Sequence, residues 1–441
     1  MGEKIEAKKS VGFLQGLAIV VGMIIGSGIF LKPGNVLEAA GSTGMSLIAW
    51  VLGGVVTLCS ALSIAEIASN IPRAGGLYTY LEELYGEKWG FLLGWVQSII
   101  SYPASVAAQG IAFATYASVF LPASFGENAW AMRGLAIGVM VFVLVMNVLS
   151  TRCGGFIQVA ATIGKLIPIV AILGIGLFGG VMPGAGGMSM VLIGEGKANI
   201  GAAILATLWA YDGWIGVTNM AGEMKNPKKS LPRVICVGIV FVVAVYALFN
   251  IVLFNALPAK QLMESEKPAA DAAVALFGQG GAVFITAGIM VSVFGSLNGY
   301  LMTAARVPQA MAERKQLPLS SVLGKLHPKF GTPANALTMQ VILAVVYVMS
   351  GSFNYLTDML MFVLWIFFTL GVVGVFLLRK RSMSDQNNYR VPLYPVTPII
   401  GIAGSVYILV STVIGDPVRS CIGLAVAALG LPVYFVMKKK K

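Results

Sequence analysis

The stretch Val20-Val21-Gly22-Met23-Ile24-Ile25-Gly26-Ser27-Gly28-Ile29-Phe30 constrains the chain more than any other. It closes an uncharged run that begins at Val11 and is long enough to cross a bilayer. Gly26-Ser27-Gly28 interrupts that run. Each glycine weakens a helix by about 1 kcal/mol relative to alanine. In hydrocarbon the freed N–H and C=O groups have no water to turn to. Broken backbone is tolerated at that depth only where it lines a cavity or is buried in protein. The stretch therefore serves one of two ends. Small residues let two helices cross closely, or bare peptide groups meet a ligand inside the membrane.

Composition decides that a membrane is the right setting. Of 441 residues, 57% are hydrophobic and only 11% are charged, whereas roughly a quarter are charged in a soluble domain. The formal charge of +12 does not imply nucleic acid, because the basic residues sit in short loops between apolar runs. Cys59, Cys153, Cys236 and Cys421 show no metal or redox spacing and read as small buried hydrophobes. The polar lead Met1 to Ser10 enters the first apolar run with no cleavage site, so no removable signal peptide is expected.

Apolar runs fall near residues 13–39, 45–70, 89–121, 131–149, 157–181, 200–222, 233–257, 280–306, 334–351, 355–378, 397–414 and 418–437. The expected fold is an all-α membrane protein of twelve transmembrane helices, with both termini on one side. Placing the termini in the cytoplasm puts 23 Lys and Arg residues inside and 6 outside, Lys32 among the latter, and leaves Lys165 within a span. That bias predicts cytoplasmic termini. The loop Pro258 to Gly278 is expected to lie over the outer mouth as short amphipathic pieces. The basic loop from Arg306 to Pro333 reads as a membrane-surface segment.

The sixth run holds a second interruption, Leu208-Trp209-Ala210-Tyr211-Asp212-Gly213-Trp214. A carboxylate within a span is costly unless it is paired or hydrogen-bonded. The first run opens one set of five and the sixth opens the next. Interrupted spans at matching places in two halves point to inverted repeats with a midplane site. The repeats are expected at 11–181 and 200–380, with two extra helices over 395–437, all in one polytopic domain. A half-helix starting after Gly26-Ser27-Gly28 offers free N–H groups and a positive dipole end, which suits a carboxylate. Half-helices ending near Ile24 and near Trp209 to Asp212 offer carbonyls, which suit an ammonium. Carboxylate beside ammonium is the backbone of an α-amino acid.

The motifs carry a resemblance. Gly26-Ser27-Gly28-Ile29-Phe30, Ala65-Glu66-Ile67 with Pro72-Arg73-Ala74-Gly75-Gly76-Leu77-Tyr78-Thr79-Tyr80, and Ala210-Tyr211-Asp212-Gly213-Trp214 followed by Glu223-Met224-Lys225-Asn226-Pro227 stand in this order. Over nearly its whole length the chain resembles the amino acid/polyamine/organocation superfamily. Within it the chain is similar to the L-type amino acid transporters, and closest to bacterial serine/threonine and alanine-serine-cysteine exchangers. The resemblance implies sodium-independent exchange of small to medium neutral L-amino acids by alternating access in the cell membrane.

It also implies roles. Ser27 and Gly28 donate N–H groups to the substrate carboxylate, with Gly26 completing that break. Ile24, Trp209 and Asp212 offer backbone carbonyls to the ammonium, with Ala210 and Gly213 shaping the second break. Trp209 stands where the family places an aromatic gate; its bland alternative is a lipid-facing ring. Tyr300 falls where relatives carry aromatic or basic pathway residues; its alternative is a structural hydrogen bond. Lys165 falls where sodium-coupled relatives hold Na⁺, so its ammonium is a surrogate for sodium. Its alternatives are an ion pair between helices and proton coupling. Tyr246 is expected to reach the unwound first span. Asp212 is either a ligand for the ammonium or a hydrogen-bonding anchor of the broken ends, and Glu66 is expected to fix the re-entrant loop. The loop Pro122 to Trp130 lacks the cysteine that links eukaryotic members to a heavy subunit. No such partner is expected, and the chain is expected to act as a monomer.

Other classes are weaker. A membrane-embedded enzyme needs a catalytic cluster, yet the single histidine, His327, lies in a loop. No catalytic residue, metal or cofactor is expected. Channels usually repeat pore segments or show charged rings, and neither is present. Within transport, the alternative is proton-coupled or facilitated uptake.

Overall fold

The computed structural model describes residues 13–71, 76–149, 161, 164–178, 187, 189–191, 198–215 and 227–439. All regular structure among the described residues is helical, with no strand among them. The principal helices are α1 (Phe13–Ile24), α2 (Gly28–Ala40), α3 (Thr43–Asn70), α4 (Leu77–Tyr85), α5 (Glu87–Val96), α6 (Tyr102–Ala117), α7 (Ala129–Leu149), α8 (Leu166–Phe178) and α9 (Ile200–Ala210). The chain continues through α10 (Pro227–Ala256), α11 (Ala259–Glu264), α12 (Pro268–Ala304), α13 (Arg306–Glu313), α14 (Ala334–Ser350), α15 (Phe353–Lys380), α16 (Val396–Gly415), α17 (Pro417–Ala428) and α18 (Gly430–Lys439).

Eight helical stretches among the described residues are long and apolar enough to cross a membrane. They are Thr43–Asn70, Glu87–Phe120, Ala129–Leu149, Ser230–Ala256, Pro268–Glu313, Phe353–Lys380, Val396–Gly415 and Pro417–Lys439. The other four apolar runs give shorter pieces. The first divides into α1 and α2, and the fifth, sixth and ninth supply α8, α9 and α14. A single turn of π-helix, Gln97–Ser101, joins α5 to α6. The motif residues Pro72 to Gly75 and Glu223 to Asn226 lie outside the described residues.

Local chemistry sets several boundaries. Ser42 caps α3 by accepting from the Met45 N–H at 3.2 Å. Asn199 caps α9 through the Ala202 N–H at 3.0 Å. The loop after α10 forms α11 and then the start of α12, which bends at Gly278.

Two charged pairs tie distant segments together. The charge count places Lys32 on the outer side. The residue sits within α2, fully buried, and donates to Asp358 on α15 at 2.7 Å. Its Nζ also lies 5.6 Å from the Phe353 ring centroid. Such a partner offsets the several kcal/mol lost in taking an ammonium out of water. Glu66 is also fully buried. Its carboxylate accepts two bonds from Arg379 at 2.8 Å each, and others from the Val391 N–H at 2.7 Å and Ser384 Oγ at 3.3 Å. Glu66 therefore anchors the segment that follows α15 to the end of α3.

Candidate functional site where two broken helices meet

The first interruption leaves Ile25, Gly26 and Ser27 outside helix, between α1 and α2. Ile25 N–H still reaches back to Val21 O at 2.9 Å, and Ser27 O accepts from Phe30 and Leu31 at 3.1 Å each. Among the described residues, the N–H groups of Gly26, Ser27, Gly28 and Ile29 have no acceptor. The first four N–H groups of a helix are unpaired by geometry, and here they are buried as well. Ser27 stands at the N-cap position but makes no side-chain cap. Its hydroxyl is buried and has no partner among the described residues.

The second interruption follows α9 directly. Tyr211 N–H returns to Thr207 O at 3.1 Å, and Asp212 N–H to Trp209 O at 3.2 Å. Gly213 then turns with φ +103, a conformation that L side chains rarely adopt. A Cβ there would stand 2.9 Å from Met23 O, so the second break presses on the end of α1. At Gly28 a Cβ would stand 2.5 Å from the Ala210 Cα. The start of α2 and the end of α9 are thus in backbone contact, and only glycine permits it.

Side chains from other helices close around the breaks. Lys165, 1% exposed, donates to Ile25 O at 3.0 Å and also to Gly22 O. Among the described residues it has no carboxylate partner. Two charge-assisted bonds offset part of the several kcal/mol lost in desolvating an ammonium. Tyr246 on α10 bridges both breaks, with its hydroxyl 3.1 Å from Ile24 O and 2.8 Å from Ala210 O. Tyr211 donates to Trp50 O at 2.8 Å and so ties the second break to α3.

The aromatic residues complete the enclosure. Trp209 is 3% exposed and does not face lipid. It stacks on Tyr300 with centroids 5.8 Å apart and planes 8° from parallel, and meets Phe353 edge-on at 6.0 Å. Tyr300 donates to Asp212 Oδ2 at 3.0 Å. The Asp212 carboxylate is therefore held by a neutral hydroxyl. Of the carbonyls predicted to accept from an ammonium, Ile24 O already accepts from Tyr246, and Trp209 O from the Asp212 and Tyr211 N–H groups. A carbonyl has two lone pairs, so Ile24 O keeps one free.

Ser296 is a neighbour that the sequence did not single out. Its Oγ lies 3.2 Å from where a Cβ on Gly26 would stand. Ser292, Ser296 and Tyr300 recur every four residues on α12 and so share the face that meets both breaks. That spacing was visible in the sequence, but not the side to which it turned.

Paired broken helices, with unpaired peptide groups buried between them, define a membrane carrier rather than an enzyme. The chain belongs to the amino acid permease family, whose model matches residues 11–434, and it is a multi-pass membrane protein. It is 44% identical to the serine/threonine exchanger SteT of Bacillus subtilis over 437 residues, 98% of each chain. It is 31% identical to the human Asc-type amino acid transporter 1 over 441 residues, 98% of this chain and 83% of the relative. It is 30% identical to the human cystine/glutamate transporter over 438 residues, 98% of this chain and 86% of the relative.

Proposed function

We propose that the protein exchanges small to medium neutral L-amino acids across the cell membrane, independently of sodium, by alternating access. The observation that carries this reading is the juxtaposition of the two breaks with the Lys165 ammonium on the carbonyls of Gly22 and Ile25. The free N–H groups of Ser27 and Gly28 receive the substrate carboxylate at the positive end of α2. The remaining lone pair of Ile24, with the Asp212 carbonyl, receives its ammonium. Gly26, Ala210 and Gly213 keep the two backbones close enough for one small ligand to touch both. Trp209, backed by Tyr300, lies over the bound molecule.

Lys165 supplies a permanent positive charge to the end of α1, so no ion need be recruited for the carrier to close. The empty carrier lacks the ligand that joins α2 to α9, which accounts for exchange rather than net uptake. A net-neutral substrate fits a site whose one acid, Asp212, is held by Tyr300. The names of the relatives, an exchanger and two amino acid transporters, support the same class. The twelve-span arrangement belongs to this proposal, with repeats over 11–181 and 200–380, two further helices over 395–437, cytoplasmic termini, and action as a monomer without a disulfide-linked heavy subunit.

The test is uptake of labelled L-serine into sodium-free proteoliposomes at equal pH on both sides, with and without unlabelled serine inside. Uptake confined to loaded vesicles is the expected outcome. Equal uptake into empty vesicles overturns obligatory exchange, and stimulation by an inward pH gradient replaces it with proton coupling through Lys165.

A further inference from the structure

We propose that Gln109 determines which side chains the site accepts, by presenting a buried amide oxygen to a substrate hydroxyl. The inference rests on the two breaks being an amino acid site and adds what recognises the substrate beyond its backbone. Ser105, Gln109 and Tyr116 lie on one face of α6, at separations of four and seven residues. All three are buried, Ser105 and Gln109 to 1% exposure. Tyr116 donates to Phe30 O at 2.8 Å, so this face addresses the first turn of α2.

The depth of Gln109 follows from the packing of α6 on α12. Tyr102, at the start of α6, lies within electrostatic range of Tyr300 near the end of α12. Eleven residues later, Phe113 packs on Phe294 with centroids 6.2 Å apart. The two helices therefore run antiparallel. Gln109, one turn before Phe113, comes level with the turn of α12 that holds Ser296. Ser296 is the side chain set against Gly26. Gln109 thus stands at the depth of the first break, on the α6 face that Tyr116 turns to α2.

The polar atoms here are left without partners. Ser27 Oγ, Ser105 Oγ, Gln109 Oε1 and Ser292 Oγ are all buried and make no hydrogen bond among the described residues. Each such group costs about 1–3 kcal/mol. Ser27 on α2, with Ser105 and Gln109 on the α6 face turned to α2, lies toward the first break, Ser292 shares an α12 face with Ser296 beside Gly26, and a ligand with both a donor and an acceptor offsets that cost. A hydroxyl is the smallest such group. The substrate O–H donates to Gln109 Oε1, and its oxygen accepts from the hydroxyl of Ser105 or Ser292. The favoured substrates are small hydroxyl-bearing amino acids, and alanine, which lacks only that oxygen, is the poorer ligand.

The experiment compares half-saturating external concentrations of L-serine and L-alanine for the full chain in proteoliposomes loaded with both. The wild type is expected to favour serine. Gln109→Leu is expected to raise the serine value about tenfold, the loss of one hydrogen bond, and to leave the alanine value unchanged or lower. A Gln109→Leu protein in which both values move by the same factor overturns the proposal. So does a wild type that takes alanine as well as serine, and amino acid exchange then still stands. A wild type that exchanges neither overturns both. Ser292→Ala is made in parallel and should shift the serine-to-alanine ratio in the same direction. If Gln109→Leu fails to fold, that ratio decides, and an unchanged value overturns the proposal.

Discussion

Lys165 sets a charge against the end of a half-helix, where two carbonyls take the place of water. Replacing it by methionine keeps the volume and removes the donor. The carbonyls of Gly22 and Ile25 then lose their partner, at about 1.5–3 kcal/mol for each charge-assisted bond. Lys165→Met is expected to lower exchange at least tenfold while the protein still elutes as a folded monomer in detergent. Exchange at the wild-type rate would remove Lys165 from the mechanism. Residues of this kind were legible in the sequence, because a charge or a glycine pair stands out in an apolar run. Gln109 and Ser292 were not. A lone polar residue in a span gives no sign of the side it faces until the helix is packed. The bond from Tyr300 to Asp212 was invisible for the same reason, so the sequence left the role of that aspartate open.

Among the elements, α2 is the most constrained. Its first turn touches α9 at Gly28 and Ala210, its Phe30 carbonyl is held by α6, and its Lys32 is held by α15. Breaking the last contact from one side leaves an unpaired ammonium in the interior. Asp358→Leu is therefore expected to destabilise the protein by on the order of 3 kcal/mol. Adding Lys32→Met should restore most of the loss, because two apolar partners replace the pair. Thermal unfolding of the two single variants and the double variant in detergent checks this, and additive losses would mean that the two residues do not depend on each other. The pair joins positions 326 residues apart. Nothing local announces it, and the charge count gave Lys32 only a side of the membrane. Helix breaks are the opposite case, because Gly213 and Gly28 mark in one or two residues what the backbone must do.

For the whole molecule, the periodic apolar runs were readable because a span must satisfy its backbone within itself. Eight of them fold as long helices, and the runs that carry the site give shorter pieces. This is the price of a binding site in hydrocarbon. The side on which each loop lies rests on the distribution of Lys and Arg. Single cysteines placed at residue 2 and at residue 441, in a background without the native cysteines, are expected to resist a membrane-impermeant thiol reagent in intact cells and to react after permeabilisation. Labelling of either in intact cells would reverse the assigned orientation.

Because the cation at the end of α1 is covalently part of the carrier, it never leaves with the cargo. In a one-for-one trade of neutral amino acids it returns to its starting place, and no net charge has crossed. The cycle is electrically silent. Under the proposed exchange, membrane voltage can neither drive nor oppose it, and one amino acid gradient is converted into another without drawing on the ion gradients of the cell.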